Sequence, residues 1–283
     1  MLQITREIVD LIDIALSEDL AAHDPTTATL ISPEQEGRAI LLAKSPGVLA
    51  GVSVACTVFA RVEPTLEAEA LMEDGATLKA GDHIAEIRGS VSGILRGERT
   101  ALNFIQRMSG IATETAKYVK AVQGLPVQIV DTRKTVPGHR YLDKYAVRMG
   151  GGHNHRLNLA DGILVKDNHI AALRAQGMSL AEIVRRAMER APHTLKVEVE
   201  VESVEDAREA LEAGAQILLL DNMSVQNMRK VVAFTKGRAL TEASGGITLE
   251  TVRAVAETGV DLISSGALTH SVAAMDISLD LQV

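Results

Sequence analysis

Before about residue 110, the apolar positions follow helical and strand-like spacings in turn. Residues 4–20 carry Ile, Leu and Ala side chains at helical spacing, which predicts an amphipathic helix. Residues 37–51 combine an apolar run with a turn signal at Pro46-Gly47, so they predict a strand and its turn. A second long helix is predicted to begin after Gly97 and to continue beyond Gly110. This part of the chain therefore predicts a domain of mixed helices and strands.

From about residue 127 the pattern becomes regular, because apolar runs that end in polar clusters alternate with amphipathic helices. The runs are VQIVDTRKT, DGILVKDNH, LKVEVEVES, QILLLDNMS, ALTEASGGI and DLISSGALTH. Short strands that alternate with helices imply a parallel sheet with right-handed crossovers. Polar residues at the strand ends favour a barrel with its active site at that face, and a doubly wound open sheet is the alternative. The final segment, residues 275–281, alternates like a strand and is predicted to return to the N-terminal domain.

Composition and charge narrow the possible functions. Aromatic residues make up only 2% of the chain, without any Trp, which argues against single-stranded nucleic-acid binding by aromatic stacking. The net charge of −8 provides no general basic surface for nucleic acid or for an anionic membrane. The single cysteine, Cys56, cannot form an internal disulfide, which fits a reducing compartment. Without a signal-peptide pattern or a long apolar run, we expect a cytoplasmic protein.

The segment 131–169 is locally cationic, with seven Lys or Arg residues against four Asp. A positive field within an acidic protein is expected where a small anion binds, and arginine suits carboxylates and phosphates because its planar group donates paired hydrogen bonds. Four cations lie at or just after apolar strands and are candidates for function: Arg133, Lys134, Arg156 and Lys166. Three others fit the solvated face of a helix: Arg140, Lys144 and Arg148. A metal site formed by His153 and His155 is disfavoured, because the sequence shows no third ligand.

Carboxylates mark the ends of the next two strands. Residues 196–202 alternate strictly between charged residues and Val, so the glutamates face one side of a strand. Glu200 and Asp221 stand nearest the strand ends, where they could accept hydrogen bonds from ribose hydroxyls or hold a divalent cation through water. An internal salt-bridge network is the alternative, above all for Glu198. After the last two strands, small-residue turns at 243–248 and 264–270 predict a phosphate site.

Together these motifs resemble the type II quinolinate phosphoribosyltransferases. The resemblance extends over nearly the whole chain and is carried by DTRKTVPGHR, KYAVRMGGGHNHR, KDNHI, VEVEVES, LLLDN, SGGI and SSGALTH, in that order. It implies an α/β fold with an N-terminal α/β sandwich over 1–110, to which the strand 271–283 returns. An incomplete, seven-stranded α/β barrel would follow over 111–270. It also implies a homodimer, or a hexamer built as a trimer of dimers, in which the N-terminal domain of one subunit closes the barrel mouth of the other.

The implied reaction joins quinolinate to phosphoribosyl pyrophosphate and releases pyrophosphate and carbon dioxide, giving nicotinate mononucleotide for NAD biosynthesis. By the same resemblance, quinolinate would be bound by Arg133, His155, Arg156 and Lys166, and by Arg99 from the neighbouring subunit. Phosphoribosyl pyrophosphate would be bound by Lys134, Glu200, Asp221, Ser244, Gly245, Gly266 and His270. Of these, Lys134, Glu200 and Asp221 would be catalytic. Magnesium would arrive with the pyrophosphate, and no protein metal site is expected.

Two departures and several rival interpretations accompany this resemblance. The chain has residues 23–27 as HDPTT where the family often has a GDxTT-like stretch, and Val136 and His139 depart from the expected types. The molybdenum-transport-associated branch of the superfamily is disfavoured because the KDNH segment is intact. A Schiff-base aldolase would need Lys134 or Lys166 in an apolar pocket, whereas charged residues surround both. A non-catalytic binding protein would have no need for acids, bases and phosphate turns at successive strand ends.

Overall fold

The computed structural model describes residues 2–282, which form two compact units. The first unit contains the chain up to Ala116, the segment Val136–Gly151 and the chain from Ser271 onward. The second unit contains Lys117–Thr135 and Gly152–His270. Among the described residues, no helix is both long enough and apolar enough to cross a membrane.

Helices and strands are numbered separately along the chain. The helices are α1 (Arg6–Glu18), α2 (Pro25–Leu30), α3 (Val52–Val62), α4 (Val91–Ala121), α5 (Arg140–Met149), α6 (Asp167–Arg174), α7 (Leu180–Arg190), α8 (Val204–Glu212), α9 (Val225–Thr235), α10 (Val252–Ala256) and α11 (Ala267–His270). The strands are β1 (Glu36–Ala43), β2 (Gly47–Val48), β3 (Glu67–Ala70), β4 (Thr77–Leu78), β5 (His83–Ser90), β6 (Gln128–Val130), β7 (Ile163–Val165), β8 (Val197–Val201), β9 (Ile217–Asp221), β10 (Leu240–Ser244), β11 (Leu262–Ser264) and β12 (Ile277–Gln282).

An antiparallel sheet with the order β12-β1-β5-β3 organises the first unit. The last strand pairs with β1 from Arg38 opposite Gln282 to Ala43 opposite Ile277. Helix α3 packs on α1, β3 and β5, and it buries Phe59 completely. Apolar faces of the sheet and of these helices therefore form the core of this unit.

On helix α5 the structure differs from the expectation that its charged residues lie on a solvated face. Lys144, expected on a solvated helix face, is only 3% exposed, whereas Arg148 is exposed. Its neighbour Asp143 is fully buried and accepts two hydrogen bonds from the guanidinium of Arg107, at 3.1 and 2.7 Å. Tertiary packing has placed charged positions of a short helix inside the unit, which the local pattern alone does not reveal.

The second unit is built on a parallel sheet with the order β6-β11-β10-β9-β8-β7. From β7 to β11 each strand lies beside its predecessor, and β6 then pairs with β11, which is the cyclic order of a barrel and differs from that of a doubly wound sheet. On the other side of β6, Val130 and His153 form an isolated parallel bridge. The predicted α/β class is therefore confirmed. Six strands pair through continuous hydrogen-bond ladders, and an isolated bridge stands where a seventh strand was expected. Among residues 2–282 no ladder joins this bridge to β7, so the barrel is not closed.

Side-chain caps begin three helices of the second unit, α7, α8 and α9. Ser179 forms a capping box with Glu182 at the start of α7, and the hydroxyl of Ser203 accepts a hydrogen bond from the Asp206 N–H at the start of α8. The strands β8 and β9 are thereby each followed by a helix with a defined first turn, which fixes where the loops after these two strands end.

Candidate active site

A cavity of about 230 Å³ opens at the C-terminal ends of the parallel strands. Barrel-type sheets place ligand sites at this end, because the strand-to-helix loops converge there. Each strand from β6 to β11 contributes a lining residue at or near its end: Arg133, Lys166, Glu200, Asp221, Ser244 and Ser264. Lys134, His155 and Arg156 complete the set of predicted residues in the lining, which also includes Thr132, Leu164, Leu219 and Glu242.

Arg156 brings a partly buried positive charge to this cavity. Burial and the nearby Arg133 lower the pKa of its guanidinium, while Glu198 and Asp161 act in the opposite direction. One guanidinium nitrogen donates a hydrogen bond to the carbonyl of Gly162 at 3.2 Å. Two guanidinium groups at one cavity favour an anion that can accept hydrogen bonds from both.

Local hydrogen bonds hold the backbones of the two cavity lysines. The Lys134 N–H donates to Oγ1 of Thr132 at 3.0 Å, and the Lys134 carbonyl accepts a hydrogen bond from Oγ1 of Thr269 at 2.8 Å. The Lys166 N–H donates to Nδ1 of His169 at 3.0 Å. Both lysine side chains are exposed, so their charges can reach a ligand in the cavity from fixed starting points.

Glu200 and Asp221 place two carboxylates on the same cavity. Burial raises the pKa of Glu200, Asp221 and Asp167 raise it further, and Lys166 opposes the rise. Asp221 accepts a hydrogen bond from the side-chain amide of Asn222 at 2.7 Å. The pair can therefore accept hydrogen bonds from hydroxyl groups or face a developing positive charge.

A buried cluster of His155, Glu198 and Glu242 lies within the second unit. Nε2 of His155 is 3.2 Å from Oε2 of Glu198 and 3.6 Å from Oε2 of Glu242. Both glutamates are almost fully buried, and Oε1 of each has no hydrogen-bond partner among the described residues. Burial raises the pKa of Glu242 to about 7, Glu198 adds to the rise, and His155 opposes it. These three residues form the one group in residues 2–282 whose ligand atoms, all within 4.8 Å of one another, could hold a metal ion.

Sequence reasoning did not single out Glu242 or Asp131. Asp131 is fully buried and accepts hydrogen bonds from the His155 N–H at 2.9 Å and from the Asn154 amide at 2.6 Å. It thereby fixes the glycine-rich loop against the end of β6. A signal was available in its position, because Asp131 ends an apolar run in the same way as Asp221. Glu242, a lone acid inside a strand, gave a weaker signal.

The glycine turns after β10 and β11 allow close approaches that other residues would prevent. Gly245 has a φ of +88°, and a Cβ atom there would lie 2.3 Å from Oδ1 of Asn222. A Cβ atom on Gly266 would lie 2.9 Å from both the Lys134 side chain and the His270 ring. Gly245, Gly266 and His270 do not line the cavity themselves, but they lie next to its edge at Ser244 and Ser264. Arg99 lies on α4 in the first unit, where its side chain is exposed, and it is not part of the lining.

A second cavity, of about 440 Å³, lies at the opposite ends of the strands. Its lining includes residues that begin strands, such as Gln128, Ile163 and Ile217. His155, Arg156 and Glu242 line both cavities, so they form the layer between the two. The buried cluster is therefore the floor of the candidate active site.

The parallel sheet in the strand order of a barrel, with cations and carboxylates at its C-terminal edge, is typical of an incomplete α/β-barrel enzyme that binds small anions. Two family models match consecutive parts of the chain. The N-terminal domain of quinolinate phosphoribosyl transferase matches residues 24–109, and the C-terminal domain matches residues 111–280. The chain belongs to the quinolinate phosphoribosyltransferase family, which confirms the resemblance of its motifs.

Named relatives resemble the chain over almost its full length. It is 44% identical over 264 residues to the probable nicotinate-nucleotide pyrophosphorylase [carboxylating] of Bacillus subtilis, covering 93% of this chain and 90% of the relative. It is 41% identical to the mitochondrial quinolinate phosphoribosyltransferase [decarboxylating] 2 of Nicotiana glauca, covering 98% and 83%. The solved nicotinate-nucleotide pyrophosphorylase of Francisella tularensis superposes with a TM-score of 0.91 at 37% identity, covering 99% of this chain and 98% of that one.

Proposed function

We propose that this enzyme transfers the phosphoribosyl group of phosphoribosyl pyrophosphate to quinolinate, with loss of carbon dioxide, to give nicotinate mononucleotide in NAD biosynthesis. One observation carries the proposal. The cavity at the strand ends combines cations for a dicarboxylate and a phosphate with a carboxylate pair suited to a ribose. The names of the relatives describe the same reaction.

In this proposal the two carboxylates of quinolinate bind to the guanidinium groups of Arg133 and Arg156 and to Lys166, with His155 completing the group. Paired N–H donors match a carboxylate in geometry and charge, which orients the pyridine ring as well as binding it. Arg133 lowers the pKa of the Arg156 guanidinium, and a bound dianion would relieve this repulsion, which supports the role.

Phosphoribosyl pyrophosphate occupies the remaining side of the cavity. Lys134 contacts its phosphates, and Glu200 and Asp221 accept hydrogen bonds from the ribose hydroxyls. Ser244, Gly245, Gly266 and His270 form the 5′-phosphate site, where the glycines let backbone N–H groups approach the ligand closely. Magnesium enters with the pyrophosphate as part of this substrate, since it prefers oxygen ligands and retains several waters.

The chemistry uses Lys134, Glu200 and Asp221 as catalytic residues. Pyrophosphate leaves C1 of the ribose with the bonding electron pair, and the positive charge that develops there faces Glu200 and Asp221. The pyridine nitrogen then forms the new bond to C1. The resulting pyridinium draws electrons from the adjacent C2–carboxylate bond, so carbon dioxide leaves and C2 takes up a proton. The cations serve catalysis only where they stabilise the transition state more than bound quinolinate.

Two further features belong to the proposal. The partner subunit's Arg99 completes the quinolinate site, which requires a homodimer or a hexamer built as a trimer of dimers. The exposed position of Arg99 on α4 is compatible with a role toward a second copy. A cytoplasmic location stays a prediction that rests on the sequence.

The direct test mixes the purified protein with magnesium and phosphoribosyl pyrophosphate, and adds either quinolinate or nicotinate. We expect nicotinate mononucleotide and carbon dioxide from quinolinate alone. The product should be lost with Lys134→Ala and retained with Lys230→Ala, which removes an exposed lysine on α9. Product from nicotinate alone would instead indicate a non-decarboxylating transferase, and no product from either substrate would refute the assignment.

A further inference from the structure

Asn222 directly follows strand β9 and has an uncommon backbone conformation. Its φ is +52°, in the left-handed region that few residues other than glycine adopt readily, and asparagine is one of them. Its backbone N–H donates a hydrogen bond to the Ser244 carbonyl at 3.0 Å, which joins the end of β9 to the end of β10. The backbone of Asn222 is therefore held beside Asp221 and Ser244, two residues that line the cavity.

The side-chain amide of Asn222 has a defined orientation. Its Nδ2 lies 2.7 Å from Oδ2 of Asp221. An ionised carboxylate only accepts hydrogen bonds, so the amide group that faces it is the NH2, and the amide oxygen Oδ1 lies on the other side. A Cβ atom on Gly245 would lie 2.3 Å from this Oδ1. The amide therefore fits in this position only because residue 245 is a glycine.

We propose that Asn222 is a positioning residue, which orients the Asp221 carboxylate toward the ribose hydroxyls of phosphoribosyl pyrophosphate, and that Gly245 provides the space for its amide. The inference rests on the proposed function and adds a residue to its ribose-binding group. Because Oδ2 of Asp221 is held by the amide, the carboxylate does not rotate freely. Its other oxygen, Oδ1, stays available to accept a hydrogen bond from a ribose hydroxyl.

The surroundings of the Asp221 carboxylate make this hydrogen bond important. Within the described part of the chain, the amide of Asn222 is the one group that donates to it. Glu200 lies close enough for Asp221 to raise its pKa, so the two carboxylates repel each other. A hydrogen bond from a neutral amide holds Asp221 against this repulsion and adds no charge to the cavity.

Gly245 connects this hydrogen bond with the turn after β10. A Cβ atom at this position would also lie 2.6 Å from Cγ and 2.9 Å from the backbone nitrogen of Asn222. In the proposed function this turn belongs to the 5′-phosphate site, and the same glycine accommodates the amide that holds Asp221. Asn222 therefore lies between the part of the site that binds the ribose and the part that binds its 5′-phosphate.

The first experiment uses two variants that keep the backbone conformation, because glycine and aspartate both tolerate a positive φ. Asn222→Gly removes the amide, and Asn222→Asp replaces the donor with an acceptor of similar size. The Kd of phosphoribosyl pyrophosphate with magnesium, measured by isothermal titration calorimetry, should rise at least about tenfold in both, because a misdirected Asp221 binds the ribose poorly. Gln226→Glu, which makes the same change of amide to carboxylate at an exposed position of α9, should leave this Kd unchanged.

A merely structural role for Asn222 would give a different pattern. If the residue acts on Asp221, the KM for quinolinate and the Tm should stay near the wild-type values in both variants, since Asn222 is exposed and the quinolinate-binding cations lie on other strand ends. A lower Tm with equal rises in the KM for both substrates would show that Asn222 only supports the fold, and would overturn the proposal. An unchanged Kd for phosphoribosyl pyrophosphate in both variants would overturn it as well.

A double-mutant cycle tests whether Asn222 acts through Asp221. In an Asp221→Ala background, which still offers the phosphate contacts, Asn222→Gly should raise the Kd less than about threefold, since residues that act through one another are not additive. An equal rise in both backgrounds would mean that Asn222 contacts the ligand itself, and would overturn the proposal. Failure of the proposed function would look different, because the wild-type protein would then neither bind phosphoribosyl pyrophosphate nor release carbon dioxide, and the inference would fall with it.

Discussion

Lys134 passes Gly266 so closely that a Cβ atom on the glycine would lie 2.9 Å from Cδ of the lysine. The same Cβ atom would lie 2.9 Å from the ring of His270. The missing side chain of Gly266 therefore makes room for two residues of the proposed phosphoribosyl pyrophosphate site. Both neighbours of this Cβ position are side chains, and the φ of Gly266 is not positive. A larger residue at position 266 would therefore displace these two side chains and would not strain the backbone.

Gly266→Ala should displace Lys134 and His270 without unfolding the protein. Because small displacements of binding groups have large kinetic effects, we expect the KM for phosphoribosyl pyrophosphate to rise at least about tenfold. The KM for quinolinate and the Tm should stay near the wild-type values, and both serve as internal controls. An unchanged KM for phosphoribosyl pyrophosphate would show that neither side chain needs this space.

Mixing two inactive variants tests the proposed contribution of Arg99 to a neighbouring subunit. Arg99→Ala and Lys134→Ala should each be inactive alone, because each lacks one part of every site. In a twofold-symmetric dimer mixed at random, half of the dimers are mixed and one of their two sites is intact, so about a quarter of wild-type activity should return. Activity would be measured after the variants are unfolded and refolded together.

Two controls make this result interpretable. Each variant refolded alone should stay inactive, which excludes gain of activity through refolding. If the mixture also stays inactive while the wild-type protein recovers, Arg99 acts within its own subunit or not at all.

Glu242 should make the stability of the protein depend on pH. Its pKa is raised from an ordinary 4.5 to about 7, first by burial and then by Glu198. Between these values the folded protein binds more protons than the unfolded chain, so the free energy of unfolding should fall as the pH rises through this window. Glu242→Gln cannot titrate there, and its stability should fall less over the same range.

Urea unfolding at several pH values across this window measures the effect. Glu250→Gln is a suitable control, because it removes an exposed acid and should leave the slope close to that of the wild-type protein. If Glu242→Gln retains the full wild-type slope, the proton is taken up by another member of the cluster.

Asp143 and Arg107 give a prediction for the first unit. Their ion pair joins a carboxylate with 1% side-chain exposure to a guanidinium with 24%. Removing one partner of a buried pair leaves the other without compensation, so Asp143→Ala should lower the free energy of unfolding by about 3 kcal/mol. Asp10→Ala breaks an exposed pair with Arg6 and should have little or no effect. If Asp143→Ala and Asp10→Ala lowered the free energy of unfolding equally, burial of the ion pair would not explain its contribution.

The strand ends were the most predictable part of the molecule. Parallel strands bring their C-terminal ends to one edge, so residues that each follow an apolar run must converge even when they are far apart in sequence. Arg133, Lys166, Glu200 and Asp221 follow this rule, and all four line one cavity. The class of fold followed from the same alternation of strands and helices.

Residues whose surroundings depend on distant parts of the chain could not be predicted in the same way. Lys144 sits on a short helix whose pattern allows exposure, and only packing within the first unit buries it. The raised pKa of Glu242 depends in part on Glu198, and Glu242 also lies near His155. These neighbours come from different elements of the second unit. The hydrogen bond that Nδ1 of His155 accepts from the Arg156 N–H is likewise a matter of orientation, about which residue type and spacing carry no information.

The pairing of the first and last strands sets an order of events during synthesis. Until Ile277–Gln282 has left the ribosome, β1 has only β5 beside it, and one of its edges stays open along residues 38–43. Open strand edges invite pairing with other chains. A growing chain could complete the parallel sheet of the second unit first, since its strands end at Ser264. The N-terminal sheet, although translated earliest, would be the last to close.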